Sequence, residues 1–415
     1  MKTKKRSLFG LAVGLVAMTS FLWAQSVQAK SAPKNEFLFG CALPLTGMFG
    51  QDGHMVRNAY LYWQDAVNAR GGIDGKYKIK IIFYDDQSNP QTSAMLINKL
   101  ITQDKVDMLL GGYGSSQVMA ASAVAERHEY PLISGAASSN MLFTRGFKYY
   151  FSTLGKSTEE VRGCVDVLTS VTPKPETVAI IGANIPFTAD ACQGYKEYAK
   201  KDGFKITHFE LFPIGLQDYD TLLEKVKATH PDALLVGSDL DIALSVVKAM
   251  KEIKFSPKAV GFSYGPTVPR FIQDLGPDAN YVFAASEWTP NMKYKDDLFG
   301  TAAQFNAGFT KRFHRAPDYV EAATAAGAEV LQIAVEKLGL KPGMNRADRV
   351  KLMKELHKLN VMTFYGPIHF GKDGANSAHP PVAVQVQNQK LVNVYPSANA
   401  EAAPLYPMPP WKDRK

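Results

Sequence analysis

Cysteine is scarce: three in 415 residues, too few for a disulfide scaffold, and an odd count leaves at least one thiol unpaired. Cys164 and Cys192 both fall in helix-like segments and are candidates for one bridge; buried free thiols are the alternative, and the favoured one. Long hydrophobic runs are scarce as well. The most extended, residues 8–23, has 16 residues and includes Thr19 and Ser20, short of the roughly 20 that a bilayer-spanning helix needs. Lys2, Lys4, Lys5 and Arg6 precede it and Val27-Gln28-Ala29 follows it, the order of an export signal cleaved after Ala29. Leu38-Phe39-Gly40-Cys41 imitates a lipid-attachment site, yet it lies past the apolar stretch and inside a strand pattern, which excludes lipidation. The expected destination is the bacterial periplasm.

Charge of one sign is also limited. Four of the net eight positive charges are those at residues 2–6, and residues 1–29 carry no acid, so the rest of the chain is at +4. That gives no ground for a nucleic-acid partner. Enzyme signatures are missing: there is no His-Glu-x-x-His helix, no paired Cys-x-x-Cys and no Gly-x-Ser-x-Gly elbow. Gly155-Lys156-Ser157 fails as a phosphate loop because Tyr150 stands where glycine is needed, and Gln117 breaks a dinucleotide fingerprint at Gly112-Tyr113-Gly114. Asp85-Asp86 lacks further ligands for a metal and reads as a capping or solvated pair. The reading is therefore no enzyme, no metal and no cofactor.

What is present is a regular alternation. Strands at 37–43, 79–84, 106–110 and 131–134 are separated by helices at 54–69, 91–103 and 117–128. The pattern restarts with a helix at 158–170, then strands at 177–181, 206–211, 233–236, 258–261 and 281–285 with helices at 191–201, 219–229 and 242–253. Apolar strands separated by helices predict α/β lobes, each a mostly parallel sheet covered on both faces. At this length one core is not expected to serve the whole chain. The helical region 296–360 has no sheet of its own and is expected on the first lobe. Short strands at 367–370, 382–387 and 391–394 are expected to return to the second lobe, and the proline-rich end after Pro396 to be irregular.

Parallel sheets bind ligands beyond the carboxyl ends of their strands, where helix N-termini present free amides. Gly111-Gly112-Tyr113-Gly114-Ser115-Ser116 and Gly135-Ala136-Ala137-Ser138-Ser139-Asn140 are two such loops. Their small residues allow close backbone approach, and their hydroxyls either cap helices or donate to an anion, a carboxylate being the group they suit. From the second lobe, the loops carrying Phe187, Asp239 and Phe262-Ser263-Tyr264 supply aromatic surface and one acid. Core packing is the equal alternative for Phe187 and Phe262. Phe49, Tyr113, Ser116 and Ala137 complete the candidate ligand contacts.

Pro44-Leu45-Thr46-Gly47 with Gly50, Gly71-Gly72-Ile73, Asp85-Asp86-Gln87-Ser88-Asn89-Pro90, the loop 111–116, Pro131-Leu132-Ile133-Ser134 and Tyr365-Gly366-Pro367-Ile368 together resemble the leucine/isoleucine/valine-binding family of periplasmic solute-binding proteins. The resemblance spans essentially the whole chain after residue 29. It implies a type I periplasmic-binding fold, a two-lobed clamp with three hinge crossovers that closes on one small carboxylate ligand. It also implies delivery to the membrane permease of an ATP-driven importer with its ATPases, by a monomer. The expected lobes are 30–155 with 286–362 and 156–285 with 363–396, followed by a tail at 397–415. In family members the carboxylate is held at the positions of Ser115, Ala136 and Ser138, and Phe187 takes a stacking position. One departure stands out: Ser263 occupies the place where amino-acid binders commonly carry an acid for the ligand ammonium. Either Asp239 replaces that acid, or the ligand lacks an amine and is an aromatic or keto acid. A ligand-sensing subunit of a signalling system is the alternative function.

The export reading has a direct check. Intact-mass analysis of exported protein is expected to show a chain starting at Lys30; retention of residues 1–29, or a lipid on Cys41, contradicts it.

Overall fold

The computed structural model describes residues 35–414, so the expected export signal and the cleavage point after Ala29 lie outside the described residues. The first half runs β1 (Glu36–Leu43), α1 (Gly50–Ala69), β2 (Lys78–Asp85), α2 (Pro90–Thr102), β3 (Met108–Leu110), α3 (Ser115–Arg127), β4 (Leu132–Ser134) and β5 (Tyr150–Ser152). Its strands form one sheet in the order β2-β1-β3-β4-β5, every pair parallel. Phe37, Phe39, Cys41 and Leu43 of β1 are fully buried, as a central strand covered on both faces requires. α1 turns Met55, Val56, Ala59, Tyr60, Trp63 and Val67 inward at helical spacing.

Next come α4 (Ser157–Glu160), α5 (Arg162–Ser170), β6 (Thr177–Ala183), α6 (Pro186–Lys201), β7 (Lys205–Phe212) and α7 (Tyr219–Lys227). They continue into β8 (Ala233–Gly237), α8 (Leu240–Glu252), β9 (Ala259–Phe262), α9 (Pro269–Leu275) and β10 (Phe283–Ser286). Three helices follow, α10 (Ala302–Phe313), α11 (Tyr319–Lys337) and α12 (Arg346–Leu356), then β11 (Asn360–Met362), β12 (Pro367–His369), β13 (Val382–Gln387) and β14 (Lys390–Tyr395). The second sheet has the order β14-β13-β10-β9-β8-β6-β7. It is parallel except where β13 runs against β10 and β14 against β13.

α11 packs on α1 and β4, so the helical region does cover the first sheet. Fifteen of its nineteen residues are buried. Small residues from Ala322 to Ala328 make this possible, because the loop after β4 lies directly on the helix backbone. A Cβ at Gly135 would sit 2.3 Å from the Thr324 amide nitrogen.

The structure corrects the sequence reading in three places. β5 was not anticipated. The helix expected over 158–170 is broken at Val161 into α4 and α5. The short strand at Pro367 does not reach the second sheet: β12 pairs with β11 in a separate two-stranded ribbon. Side-chain packing accounts for this, because Phe370, just after β12, packs at a tilt on Phe151 of β5 with ring centroids 5.2 Å apart. The tail is irregular apart from two single 3-10 turns, yet it is docked. Trp411 Nε1 donates to the Phe255 carbonyl at 2.8 Å, and the Met408 amide donates to the Lys258 carbonyl at 2.7 Å. All three cysteines are buried and unbridged, so the Cys164–Cys192 bridge is not formed.

Three crossovers join the sheets, after β5, after β10 and between β12 and β13. Buried Glu287, from the second, accepts the Gly155 amide of the first at 3.2 Å and the Tyr365 hydroxyl that leads into the third. Asn376 adds a tie, its Nδ2 donating to the Thr153 carbonyl at 3.1 Å and the Pro367 carbonyl at 3.2 Å.

Asp107, just before β3 and 1% exposed, binds three amides: Leu38 at 2.9 Å, Gly343 at 2.7 Å and Met344 at 2.9 Å. It clips β1 to the α11–α12 loop. Asp107→Ala leaves those donors without an acceptor and is expected to cost about 2–4 kcal/mol. Urea unfolding should show a lower midpoint at unchanged slope.

Candidate functional site

β3 ends in Gly111-Gly112, and Gly114 takes φ +88°, a left-handed turn that delivers the chain into α3. A Cβ there would also meet the Gln117 side chain at 2.6 Å, so both backbone and space demand glycine. The helix starts at Ser115, two residues earlier than its pattern suggested, and no side chain caps it. Its first-turn amides therefore point outward without partners, carrying the positive end of the helix dipole. Gly114, Ser115, Ser116 and Gln117 all line a cavity of about 260 Å³.

The loop after β4 meets this helix start edge to edge. The Gly114 amide donates to the Ala136 carbonyl at 3.1 Å, and the Ser139 amide donates to Ser115 Oγ at 3.1 Å. Ser115 Oγ is thereby used as an acceptor, which leaves its own proton free to donate. Ser138 Oγ lies 3.1 Å from Ser157 Oγ, and the Ser157 amide donates to the Ser138 carbonyl at 2.8 Å. Ala136, Ala137 and Ser138 all line the same cavity. Among the described residues, no lysine, arginine or histidine does. An anion held here is met by hydroxyls, amides and a helix dipole.

The opposite wall comes from the second sheet. Ile185, Pro186, Phe187 and Thr188 form the N-terminus of α6, which begins five residues before its sequence pattern did. Asp239 caps α8, its Oδ1 accepting the Ile242 amide at 2.9 Å. Burial raises its pKa, and the charge of Asp241 adds to the shift against the pull of the Ile242 amide. Tyr264 closes the wall by donating to Asp318 Oδ2 at 2.5 Å, and Tyr319 and Val320 follow at the start of α11. Burial pushes the phenols of Tyr113, Tyr264 and Tyr319 well above their usual range, so they remain neutral. Between the two halves, Asp190 accepts Ser139 Oγ at 2.6 Å and the Asn140 amide at 2.8 Å, and Arg270 donates to Gln51 at 2.5 Å. The two walls are in contact.

Ten of the eleven expected contacts line this cavity: Phe49, Tyr113, Ser115, Ser116, Ala136, Ala137, Ser138, Phe187, Asp239 and Tyr264. Ser263 does not. Its hydroxyl is locked against Ser238, accepting the amide at 2.9 Å and donating to the carbonyl at 3.2 Å, so it faces the core. Phe262 is likewise fully buried and packs on Phe271. Tyr319, Val320, Met48 and Ile214 were missed. The Asp318-x-x-Glu321 capping box marks the start of α11 in the sequence, but only the fold brings it behind the cavity. Asp85 and Asp86 turn out to organise loops: Asp85 accepts the Leu45 and Thr46 amides and the Thr46 hydroxyl, and Asp86 accepts the Ser88 amide.

A sequence profile described as "Periplasmic binding protein" matches residues 38–390. The chain belongs to that family. This binding protein is 24% identical over 413 residues to Leu/Ile/Val-binding protein homolog 8 of Brucella abortus (strain 2308), covering 96% of this chain and 98% of the relative. Among solved structures it shares its fold with the isoleucine complex of a branched-chain amino acid transporter substrate binding protein from Streptococcus pneumoniae. The TM-score is 0.75 at 20% identity, over 90% of this chain and 100% of that one. A solute binding protein of an ABC transporter from R. palustris, in complex with benzoate, superposes at TM-score 0.73 and 16% identity, over 89% and 98% of the two chains. The binding protein thus has the two-lobed fold of these substrate-binding structures.

Asp52, in the first turn of α1, lines a larger outer cavity of about 530 Å³ that shares Phe49 and Asp239 with the inner one. Burial, then the charges of Asp239, Asp318 and Asp241, push its carboxyl up to about 8. An unfolded aspartate titrates near about 3.9. Between those values the native state holds a proton that the unfolded chain has released, so this contribution to stability is lost as pH rises through the window. Thermal melts of the ligand-free protein from pH 5 to 8 are expected to fall less steeply in Asp52→Asn than in the natural sequence.

Proposed function

We propose that the protein is the periplasmic receptor of an ABC importer, which binds a small carboxylate-bearing ligand between its lobes and hands it to the membrane permease. The carrying observation is the uncapped N-terminus of α3, which opens with Ser115, Ser116 and Ser138 into a cavity lacking any basic side chain. Such a site suits a single carboxylate, since amides at a helix start are a ready anion site. The volume of about 260 Å³ and the walls of Phe49, Tyr113, Phe187 and Tyr264 suit an apolar body of amino-acid or aromatic-acid size. The relatives whose names refer to leucine, isoleucine and valine, and the fold neighbour holding benzoate, support the same size class. The moving bodies in this reading are 30–155 with 286–362 and 156–285 with 363–396, hinged at the Glu287 crossovers, and the protein acts as a monomer without catalysis.

A thermal-shift screen over amino acids, keto acids and aromatic acids identifies the ligand, because specific binding raises apparent stability. With that compound, Ser138→Ala is expected to weaken binding roughly 10- to 100-fold, the loss of one charge-assisted hydrogen bond, while the melting temperature without ligand stays near that of the natural sequence. Titration calorimetry reads the affinity. Undiminished binding in Ser138→Ala contradicts the carboxylate anchor.

A further inference from the structure

Ser138 is held from behind by α4, the single helical turn that follows the first crossover. Its Oγ lies 3.1 Å from Ser157 Oγ, and its carbonyl accepts the Ser157 amide at 2.8 Å. Glu160 stands three residues further along that turn, on the same face as Ser157, and its carboxyl meets the Ser138 hydroxyl. Glu160 is 5% exposed, and its Oε1 has no hydrogen-bond partner among the described residues. Facing it is Glu287, 4% exposed, whose oxygens are taken by the Gly155 amide and the Tyr365 hydroxyl. No lysine or arginine among the described residues pairs with either carboxyl. Lys156 is paired with Asp373 at 2.8 Å, and Arg162 turns to Asp166 and Asp202. His379 lies near Glu287, its ring nitrogens against the carbonyls of Tyr365 and Pro380. Glu159 of the same turn and the phenols of Tyr319 and Tyr365 complete the surroundings. From α6, which packs on α4, Asp190 is occupied by Ser139 and Asn140.

We infer that Glu160 is a positioning residue for the ligand anchor: its carboxyl keeps a proton and donates it to Ser138 Oγ, which frees the Ser138 hydroxyl proton for the ligand carboxylate and makes anion binding depend on that one proton. This rests on the carboxylate-binding reading above. Ser138 has a single side-chain proton to give. An ionised Glu160 claims it, and also sets a negative charge behind the hydroxyl that has to face an anion. The neutral acid reverses the chain, which then runs from Glu160 to Ser138 to ligand, each bond strengthening the next. Burial favours the neutral form, because two carboxylates side by side in the interior without a cation are costly. The Glu160 carboxyl is accordingly raised well above its usual range by burial and then by the charge of Glu287, against the pull of the Ser138 hydroxyl, with Glu159 adding a little. By linkage, a bound anion holds the proton more tightly, and the proton holds the anion more tightly by the same factor. Affinity is therefore level at low pH and falls, by up to about tenfold per pH unit, once the free protein releases the proton.

Asp52 titrates at about 8 beside the same cleft, so the pH profile is read in Asp52→Asn. Leucine and benzoate, whose carboxylates stay charged throughout, are titrated by calorimetry from pH 5.5 to 9 into the natural protein, Asp52→Asn and the double variant Asp52→Asn/Glu160→Gln. Melting curves confirm that the variants fold. The glutamine amide donates to Ser138 as the neutral acid does, but it cannot ionise. The expected result is a fall in affinity of about tenfold or more across the range in Asp52→Asn, and of less than about threefold in the double variant. At pH 5.5 the two should bind within about fivefold of each other, since both then carry a donor behind Ser138. A carboxyl that merely filled space would leave the two profiles parallel. A level profile in Asp52→Asn, or a fall that survives Glu160→Gln, overturns the proton coupling while leaving carboxylate binding intact. Where the double variant does not fold, infrared difference spectra of Asp52→Asn with and without benzoate decide: a protonated-carboxyl band that shifts on binding is expected, and its absence overturns the coupling. If neither compound binds any of the proteins, the carboxylate reading and the coupling fall together.

Discussion

Glu287 is a buried carboxylate at the point where all three crossovers pass, and the geometry of the clamp depends on how it is satisfied. It takes a backbone amide from the first crossover and a phenol from the segment leading into the third. A buried carboxyl without partners is costly, so these bonds hold the three segments in register. Burial raises its pKa, opposed by His379, the Tyr365 hydroxyl and the Gly155 amide. Glu160 is close by, shifted up by burial and then by the charge of Glu287. The result is a joint whose three segments are tied to one another.

The order of elements was legible because buried parallel strands are continuous apolar runs and their covering helices keep a 3.6-residue period. What failed was the start of helices at the site. α3 and α6 begin with Ser115 and Pro186, ahead of the first periodic apolar residue, since their opening turns face a cavity and not a core. β5 was obscured by its length of three residues, over which periodicity has no statistics. The site loops were visible as glycine and serine clusters at strand ends. Asp52, Tyr319 and Val320 were not, because nothing local separates a cavity-facing side chain on a helix from a solvated or core one. Ser263 failed for the opposite reason: its place in the chain follows a strand end, but its hydroxyl is spent on Ser238.

The distribution of charge around the cavity follows from the same layout. Both walls are built from the starts of helices, α3 and α6 and α8 and α11, so backbone dipoles bring positive potential to the centre without a basic side chain. Asp239 and Asp318 are the caps that two of those helices require. The acids near the mouth are therefore partly a by-product of helix capping, and α3 and α6 have no side-chain cap at all.

The three buried thiols carry a consequence for the life of the chain outside its clamp. Cys164 and Cys192 are pushed up to about 12, chiefly by burial, and Cys41 is raised as well. Thiolate is the form that attacks disulfides and oxidants, and in the folded protein it is almost absent. Each sulfur instead rests against a carbonyl, of Gly111, Phe262 or Ile181. Reduction therefore has no disulfide to break here. None of the three cysteines is bridged, so the described fold does not depend on a disulfide.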